Sequence, residues 1–239
     1  MPQDFWGRVV YLLQTRGSSY AMGALNTMII ALVSTFIGCV IGFAVGIVQT
    51  IPVSKKDSVW KKGILGIIKF ILGVYVEVFR GTPMVVQLLL FYYVLLPIVG
   101  GHMTGVQVAM LVFGLNSGAY ISEIMRGGIL SVDPGQMEGG RAMGLSFSTT
   151  MLKIVIPQAV KNILPTLGNE FISLIKETSV VSFVGATDLY VAFNYIGSNS
   201  YEFMVPYLVM ALIYIVMVLL ISLGIKLMER SLRKSDRRH

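Results

Sequence analysis

The sequence predicts an all-α integral membrane protein, and three observations lead to that fold class. Hydrophobic residues make up 55% of the chain and charged residues only 13%, about half the charged share of an ordinary soluble domain. Several apolar runs exceed the roughly 18 residues that a helix needs to cross a bilayer. The charged residues are concentrated between those runs. So much apolar surface indicates that lipid surrounds the protein and that helices span it.

Five membrane-spanning helices are predicted, which together form a single transmembrane domain over residues 1–239. Their bounds are about 20–51, 64–99, 104–125, 166–186 and 205–228. In the first span, small residues recur at every fourth position, a pattern that lets helix backbones approach closely in lipid. These residues are Ser34, Gly38, Gly42 and Gly46. We expect this stripe to pack against a neighbouring helix of the same chain.

The second predicted span is interrupted by the sequence Arg80-Gly81-Thr82-Pro83. Because Pro83 has no backbone N–H, it leaves a carbonyl about one turn earlier without its helical donor. We interpret the segment as one long span with a break, since two short spans would leave Arg80 in a turn deep in the lipid.

A polar segment at residues 135–165 separates the third span from the fourth. Helix-favouring sequence covers residues 136–143 and 148–155, with Gly144 between them and Pro157 expected to end the second helix. Two short amphipathic helices of this kind suit a membrane surface or the groove of a partner protein.

The orientation of the spans follows from the distribution of Lys and Arg. Residues 55–62 supply four, residues 126–161 another four and residues 226–238 six, whereas the opposite side has only Arg8 and Arg16. By the positive-inside rule the N-terminus is outside, and the polar segment and the C-terminus are cytoplasmic. A loop containing Asp188, Asn194 and Glu202 is expected on the outer side. The net charge of +7 therefore indicates orientation and not a nucleic-acid partner.

The polar segment carries a specific motif. Glu138-Gly139-Gly140, followed by Gly144 and by Ile154-x-Ile156-Pro157, resembles the EAA motif of the permeases of ABC importers. The stretches "VEVFRGTPMVVQLLLFYYVLLP", "AYISEIMRGGILSVDPGQMEGGRAMGLS" and "FISLIKETSVVSFVG" are similar to the branch of that family that takes up polar amino acids. One departure is that Gly139 and Gly140 stand where the family usually has two alanines, each of which favours a helix by up to roughly 1 kcal/mol over Gly.

The resemblance implies a type I importer permease of the bacterial cytoplasmic membrane. It further implies two ATPase subunits, a second permease subunit that is an identical copy or a paralogue, and an extracytoplasmic substrate-binding protein. The two short helices of the motif would dock on the ATPase and pass its movement to the spans. The residues of this chain that match the coupling motif are Glu138, Gly139, Gly140, Arg141, Ala142, Gly144 and Pro157.

No cofactor is expected in this chain. It has no G-x-x-x-x-G-K-[ST] phosphate-binding loop, so ATP and Mg²⁺ would be bound by the partner ATPase and the chain itself is not expected to be an enzyme. With two His and one Cys, a metal cluster is not expected either. An intramembrane enzyme would need a nucleophile with a base within the spans, which the sequence does not offer.

Polar residues within three of the spans are candidates for a substrate site, because ionisable groups in a membrane are costly and mark function by default. An amino-acid zwitterion needs a cation or N–H groups for its carboxylate and an anion for its ammonium. Arg80 with Gly81 and Thr82 suits the carboxylate, and Glu177 suits the ammonium or a basic side chain. The full candidate set is Arg80, Gly81, Thr82, Asn116, Tyr120, Glu123, Glu177, Thr178 and Ser182.

Several alternatives stay open at this level. Arg80 is equally well explained by a structural ion pair with Glu77 at i,i+3 or with Glu123, and Lys176 as a counter-ion of Glu170 or Glu177. A permease for another small solute of the same family, or a carrier or channel that works without an ATPase, would also place charges within the spans. Which amino acid is transported does not follow from the sequence.

Overall fold

The structure is a computed structural model that describes residues 2, 4–53 and 58–236, with side chains as far as residue 231. The regular elements of this part of the chain are helical, which confirms the all-α fold class. The α-helices are α1 (Phe5–Thr50), α2 (Val59–Gly81), α3 (Met84–Leu89), α4 (Leu96–Ile98), α5 (Gly105–Leu130), α6 (Pro134–Ala142), α7 (Phe147–Thr150), α8 (Ile156–Glu177), α9 (Leu189–Ser200) and α10 (Met204–Asp236). Wider π-helical turns at Leu90–Leu95 and Met151–Val155 and a 3₁₀-helix at Thr178–Val184 link some of them.

Three of the described helices, α1, α5 and α10, are long and apolar enough to cross a membrane on their own. Two bent pairs bring the number to five if each pair is one span: α2 with the helical stretch Met84–Ile98, and Phe147–Val184 with α9. The number of spans therefore lies between three and five in the described part of the chain. Helix α1 has 46 residues, so it is roughly 69 Å long and exceeds a hydrocarbon core of about 30 Å.

The chain forms two compact units. The first comprises residues 1–35, 84–114 and 171–224, and the second comprises residues 36–83, 115–170 and 225–239. In the first unit, one apolar cluster is centred on Phe113, Leu174 and Ile175, and another on Phe193 and Leu189. In the second unit, Ile121 and Met125 of α5 pack with buried residues of α8.

The stripe of small residues in α1 packs against α5, as the sequence predicts. In the second unit, a Cβ atom added at Gly38 would lie 2.8 Å from Ser117 Cβ, and one at Gly42 would lie 2.6 Å from Ile121 Cβ. In the first unit, Ser34 Oγ donates to the carbonyl oxygen of Met110 at 3.3 Å. Only glycine permits the two backbones to approach this closely.

The break in the second predicted span is confirmed. Helix α2 ends at Gly81, Thr82 has an extended backbone (φ −123°, ψ 146°), and α3 begins at Met84. The extended conformation of Thr82 is the one that a following proline favours.

The expectation that Pro157 ends the second helix of the polar segment is wrong. The chain stays helical from Phe147 to Glu177, and Pro157 is the second residue of α8. The π-helical turn just before it explains this result, since the N–H of Ile156 bonds to the carbonyl of Met151, five residues back. A wider turn gives the proline ring room beside the carbonyl of residue i−4, where an ordinary α-helix has none.

The expected loop after the fourth span is also largely helical. Asp188 accepts a hydrogen bond from the N–H of Val191 at 2.9 Å and caps α9, so Asn194 lies within a helix. Glu202 lies in the short connection to α10 and pairs with Arg8 at 2.8 Å. The predicted cytoplasmic charges at Lys55 and Lys56 lie outside the described residues.

Candidate functional site

The first half of the polar segment is a capped helix with a defined end. Asp133 Oδ1 accepts the N–H of Gly135 at 2.7 Å at the start of α6. At the other end, the N–H of Leu145 bonds to the carbonyl of Gly140, and the N–H of Gly144 bonds to that of Arg141, both at 3.1 Å. This pair of bonds is a Schellman motif, and it requires the positive φ of +85° found at Gly144. Gly144 therefore fixes the turn between the two halves.

The second half begins with a side-chain cap and is anchored to α6. Ser146 Oγ accepts the N–H of Thr149 at 3.1 Å at the start of α7. Gln158 Nε2 donates to Gln136 Oε1 at 3.3 Å and so joins α8 to α6. Phe147 and Met137 pack against the apolar cluster of the second unit. Residues 134–158 thus form a folded knob, the name used below, and not an extended loop.

The two adjacent glycines of the motif have different surroundings. Gly140 is buried, and a Cβ atom added there would lie 2.5 Å from Thr150 Cγ2. Gly139 is exposed, and apart from its chain neighbours and the backbone of its own helix no heavy atom of the described residues lies within 4 Å of an added Cβ. Alanine at position 140 would therefore overpack the contact between α6 and α7, whereas at position 139 the chain itself imposes no such limit.

Most of the predicted coupling residues lie on the solvent-exposed surface of the knob. Its exposed members are Glu138, Gly139, Arg141, Ala142, Gly144 and Pro157. Among them stands Met143, an apolar side chain that is 85% exposed at the end of α6. Met143 is absent from the sequence-based set. Its position directly before Gly144, at the tip of the turn, is the sequence feature that could have identified it as a candidate coupling residue.

The break at Arg80–Pro83 is held by two side-chain caps. Thr82 Oγ1 donates to the carbonyl of Val78 at 2.7 Å, and Asn116 Nδ2 donates to the carbonyl of Phe79 at 3.0 Å. Both carbonyls belong to the last turn of α2, where the backbone donors of a continuous helix are missing. The structure therefore brings Asn116 of α5 to the break, as a partner of the backbone.

Beside the break lies a group of charges around Glu123. Arg126 binds the two oxygens of Glu123 with its Nε at 3.2 Å and its Nη2 at 2.7 Å. Arg80 Nη1 lies 4.0 Å from Glu123 Oε2, and its guanidinium carbon lies 5.5 Å from the centroid of the Tyr120 ring. The structure thus brings Arg80, Tyr120 and Glu123 together, as the sequence predicts. Arg126 is a member that sequence reasoning missed, although its i,i+3 spacing from Glu123 signals the pair.

The remaining candidates, Glu177, Thr178 and Ser182, lie in the first unit at the end of α8. Glu177 is exposed, whereas Thr178 is fully buried and its Oγ1 donates to the carbonyl of Ile175 at 2.9 Å. Ser182 Oγ donates to the carbonyl of Ser179 at 3.2 Å. Both hydroxyl protons are thus directed at the local backbone, which leaves Glu177 as the exposed ionisable group of this set.

A carboxylate that the sequence set omits lies buried in the first unit. Asp188 is fully buried, and Tyr214 Oη donates to its Oδ2 at 3.4 Å. Its capping bond to Val191 gives it a structural role. Among the described residues, no three His, Cys, Asp or Glu side chains are grouped so as to hold a metal ion.

Comparison with known proteins gives consistent matches along the chain. Residues 60–234 match the family described as "Binding-protein-dependent transport system inner membrane component". The chain is 35% identical to the arginine transport system permease protein ArtQ of Bacillus subtilis (strain 168), over 90% of this chain and 92% of the relative. It is 31% identical to the probable glutamine ABC transporter permease protein GlnM of the same organism, over 95% and 99%.

Solved structures agree with these matches. A crystal structure of an amino acid ABC transporter with histidines aligns with a TM-score of 0.80 and 36% identity, and covers 97% of this chain and 100% of the other. The MetNI methionine ABC transporter in an inward-facing conformation aligns with a TM-score of 0.73 over 90% of this chain and 96% of the other, at 22% identity, which is a likeness of fold.

Proposed function

This chain belongs to the family of binding-protein-dependent transport system inner membrane components, the permease subunits of ABC importers, and we propose that it translocates polar amino acids. The observation that carries the proposal is the full-length match to an amino acid ABC transporter at 36% identity. Relatives named for arginine, glutamine and cystine support the same substrate class. The family also agrees with the missing phosphate-binding loop, since ATP is hydrolysed in a partner subunit.

The knob at residues 134–158 is the proposed contact with the ATPase. It is folded and capped at both helices, so a force on its tip is passed to α8 and not absorbed by a flexible loop. Met143 supplies an exposed apolar anchor, flanked by Arg141 and Glu138 as charged residues of a polar rim. Two ATPase copies, a second permease subunit and an extracytoplasmic binding protein complete the proposed transporter.

The proposed orientation follows from this contact. The knob lies on the cytoplasmic side of the bacterial cytoplasmic membrane, where ATP is available. The C-terminus lies on the same side and the N-terminus outside, in agreement with the excess of Lys and Arg in the corresponding segments.

Arg80 is the proposed partner of the substrate carboxylate. Arg126 occupies both oxygens of Glu123 at 2.7 and 3.2 Å, whereas Arg80 is 4.0 Å away from that carboxylate. The guanidinium of Arg80 thus keeps donors for a second carboxylate, and the Tyr120 ring beside it orients the planar group. In the first unit, Glu177 is the proposed partner of a substrate ammonium or basic side chain.

The direct test is reconstitution of the transporter. The chain, its ATPase and its binding protein are placed in lipid vesicles, and ATP hydrolysis and uptake are measured with a panel of arginine, histidine, glutamine, cystine, methionine and inorganic anions. We expect stimulation by one or more polar amino acids and uptake only with ATP. Uptake that proceeds at the full rate without the ATPase, or stimulation by inorganic anions alone, would refute the proposal.

A further inference from the structure

Helices α1 and α9 of the first unit line an open cavity of about 510 Å³ to which the proposed function assigns no role. Its polar lining residues are Arg16, Ser18, Ser19, Thr187 and Tyr195, and its apolar ones include Met22, Val191 and Ile196. A second cavity of about 310 Å³ is also lined by Arg16, so this guanidinium stands between two open spaces.

Arg16 occupies a position typical of the lipid–water interface. The apolar part of α1 begins at Tyr20, four residues further along, which corresponds to about 6 Å at 1.5 Å per helical residue. Basic residues immediately outside the apolar part of a helix lie at the depth of lipid headgroups. The cavity therefore reaches from headgroup depth into the acyl-chain region.

The charge of Arg16 is not neutralised by a carboxylate within this part of the structure. The salt bridges of the described residues do not include it, and no Asp or Glu lines its cavity. Arg8, two turns earlier on α1, is different, because it is paired with Glu202 at 2.8 Å. Arg16 is thus an exposed cation with hydroxyl donors of two serines near it, a combination suited to phosphate oxygens.

The walls of the cavity are held in place without a ligand. The rings of Tyr20 and Phe193 stack at a centroid distance of 3.9 Å and an angle of 6°, which fixes α1 against α9. Asn26 Nδ2 donates to the carbonyl of Thr187 at 2.9 Å and fastens the segment before α9 to α1 as well. A preformed cavity lowers the entropic cost of binding.

We propose that this cavity binds an anionic phospholipid, with the phosphodiester at Arg16, Ser18 and Ser19 and an acyl chain along Met22, Val191 and Ile196. An anionic lipid is favoured over a zwitterionic one, because the cavity offers a cation for the phosphate and no carboxylate for a choline or ethanolamine group. The apolar walls favour a lipid over free phosphate, because only the lipid has an acyl chain that can contact them.

The test is native mass spectrometry of the full-length protein with phosphatidylglycerol, phosphatidylcholine or inorganic phosphate. We expect phosphatidylglycerol to bind most tightly, and Arg16→Gln to weaken that binding by about tenfold, as for one lost charge-assisted contact. The matched control is Lys226→Gln, which removes an exposed cation of α10 that does not line the cavity and should leave binding unchanged. Arg16→Lys keeps the charge and should retain part of the affinity.

Three results would overturn the proposal. Equal binding of phosphatidylcholine and phosphatidylglycerol would mean that Arg16 does not select for an anion. Competition by inorganic phosphate at the concentration of the lipid would mean that the apolar walls contribute nothing. Unchanged lipid binding in Arg16→Gln, together with weaker stimulation by the binding protein, would assign Arg16 to a protein contact instead.

Discussion

The side-chain amide of Asn116 donates a hydrogen bond of 3.0 Å to the main-chain oxygen of Phe79. Phe79 is four residues before Pro83, so its carbonyl is the one that the proline deprives of a helical donor. The break in the helical stretch is thus stabilised by a neighbouring helix. Asn116 is only 5% exposed, which fits a hydrogen-bond donor to the backbone better than a ligand for a substrate.

Asn116→Ala is expected to destabilise the protein by about 1 kcal/mol, because it removes the hydrogen bond to the partly buried carbonyl of Phe79. Thermal unfolding of the purified protein in detergent measures this loss. Tyr120→Phe, one helical turn away, serves as the control and should unfold at the temperature of the wild type. An unchanged unfolding temperature together with a raised KM for uptake would instead identify Asn116 as a substrate ligand.

The adjacent glycines of the motif should respond in opposite ways to the same substitution. Gly139→Ala adds a methyl group in open space and favours α6 by up to about 1 kcal/mol. Gly140→Ala places a methyl group 2.5 Å from Thr150 Cγ2 and should cost about 1–3 kcal/mol through overpacking. Thermal unfolding of the two variants measures both changes in stability.

A second substitution tests whether the cost of Gly140→Ala arises from contact with Thr150. Thr150→Ala removes the atom that a methyl group at position 140 would meet, so the double variant with Gly140→Ala should be more stable than the sum of the two single effects predicts. Strict additivity would show that Gly140 does not contact Thr150. Reduced coupling to ATP hydrolysis in Gly139→Ala at unchanged stability would indicate that the ATPase itself approaches position 139.

Gly144→Val is expected to uncouple ATP hydrolysis from uptake. A β-branched residue does not readily adopt the φ of +85° found at Gly144, so the Schellman motif opens and the knob changes shape. The measurement compares stimulated ATP hydrolysis with uptake in vesicles. Gly127→Val is a suitable control, since Gly127 also has open space around it but an ordinary helical φ. Normal coupling in Gly144→Val would remove this turn from the mechanism.

Several parts of this structure follow directly from sequence rules, and others do not. The break at Thr82 was predictable because proline acts on its own backbone and on the residue before it. The stripe at Gly38 and Gly42 was predictable because only close helix packing needs such spacing. The continuation of the helix through Pro157 was not, because it depends on a π-helical turn that has no sequence signature. The capping partner of Phe79 was equally hidden, since it comes from another helix.

The candidate site was predictable as a set of charges but not as a set of pairs. The sequence singles out Arg80 and Glu123 as charges within the spans but not Arg126, because the choice of partner depends on side-chain geometry. The bidentate contact from Arg126 decides that choice, because it leaves Arg80 at 4.0 Å from the same carboxylate.

This geometry predicts unequal effects of the two arginines. Arg80→Gln should raise the KM for uptake more than tenfold if Arg80 binds the substrate carboxylate, since a hydrogen bond to a charged group is worth about 1.5–3 kcal/mol. Arg126→Gln removes a partly exposed ion pair and should change stability by no more than about 1 kcal/mol. Uptake kinetics and thermal unfolding of both variants separate the roles. A larger effect of Arg126→Gln on KM would reverse the assignment.

Glu177→Gln is expected to weaken uptake while the transporter still assembles with its ATPase. Glu177 is exposed at the end of α8, whereas the neighbouring hydroxyls of Thr178 and Ser182 are bonded to the backbone, so the carboxylate is the group available to a cationic partner. The loss should be larger for a substrate with a basic side chain than for a neutral one, because only the former presents a second positive charge. Uptake of arginine and of glutamine by the same vesicles measures this difference.

Lys176→Gln is the matched control for that experiment, since Lys176 is the adjacent exposed charge of opposite sign. If Glu177 acts on the substrate, Lys176→Gln should leave the arginine-to-glutamine preference unchanged. If the two residues merely neutralise each other, either substitution should affect both substrates alike, and combining them should restore uptake. Co-purification of the ATPase in each variant shows whether a loss of uptake arises within the membrane part and not from failed assembly.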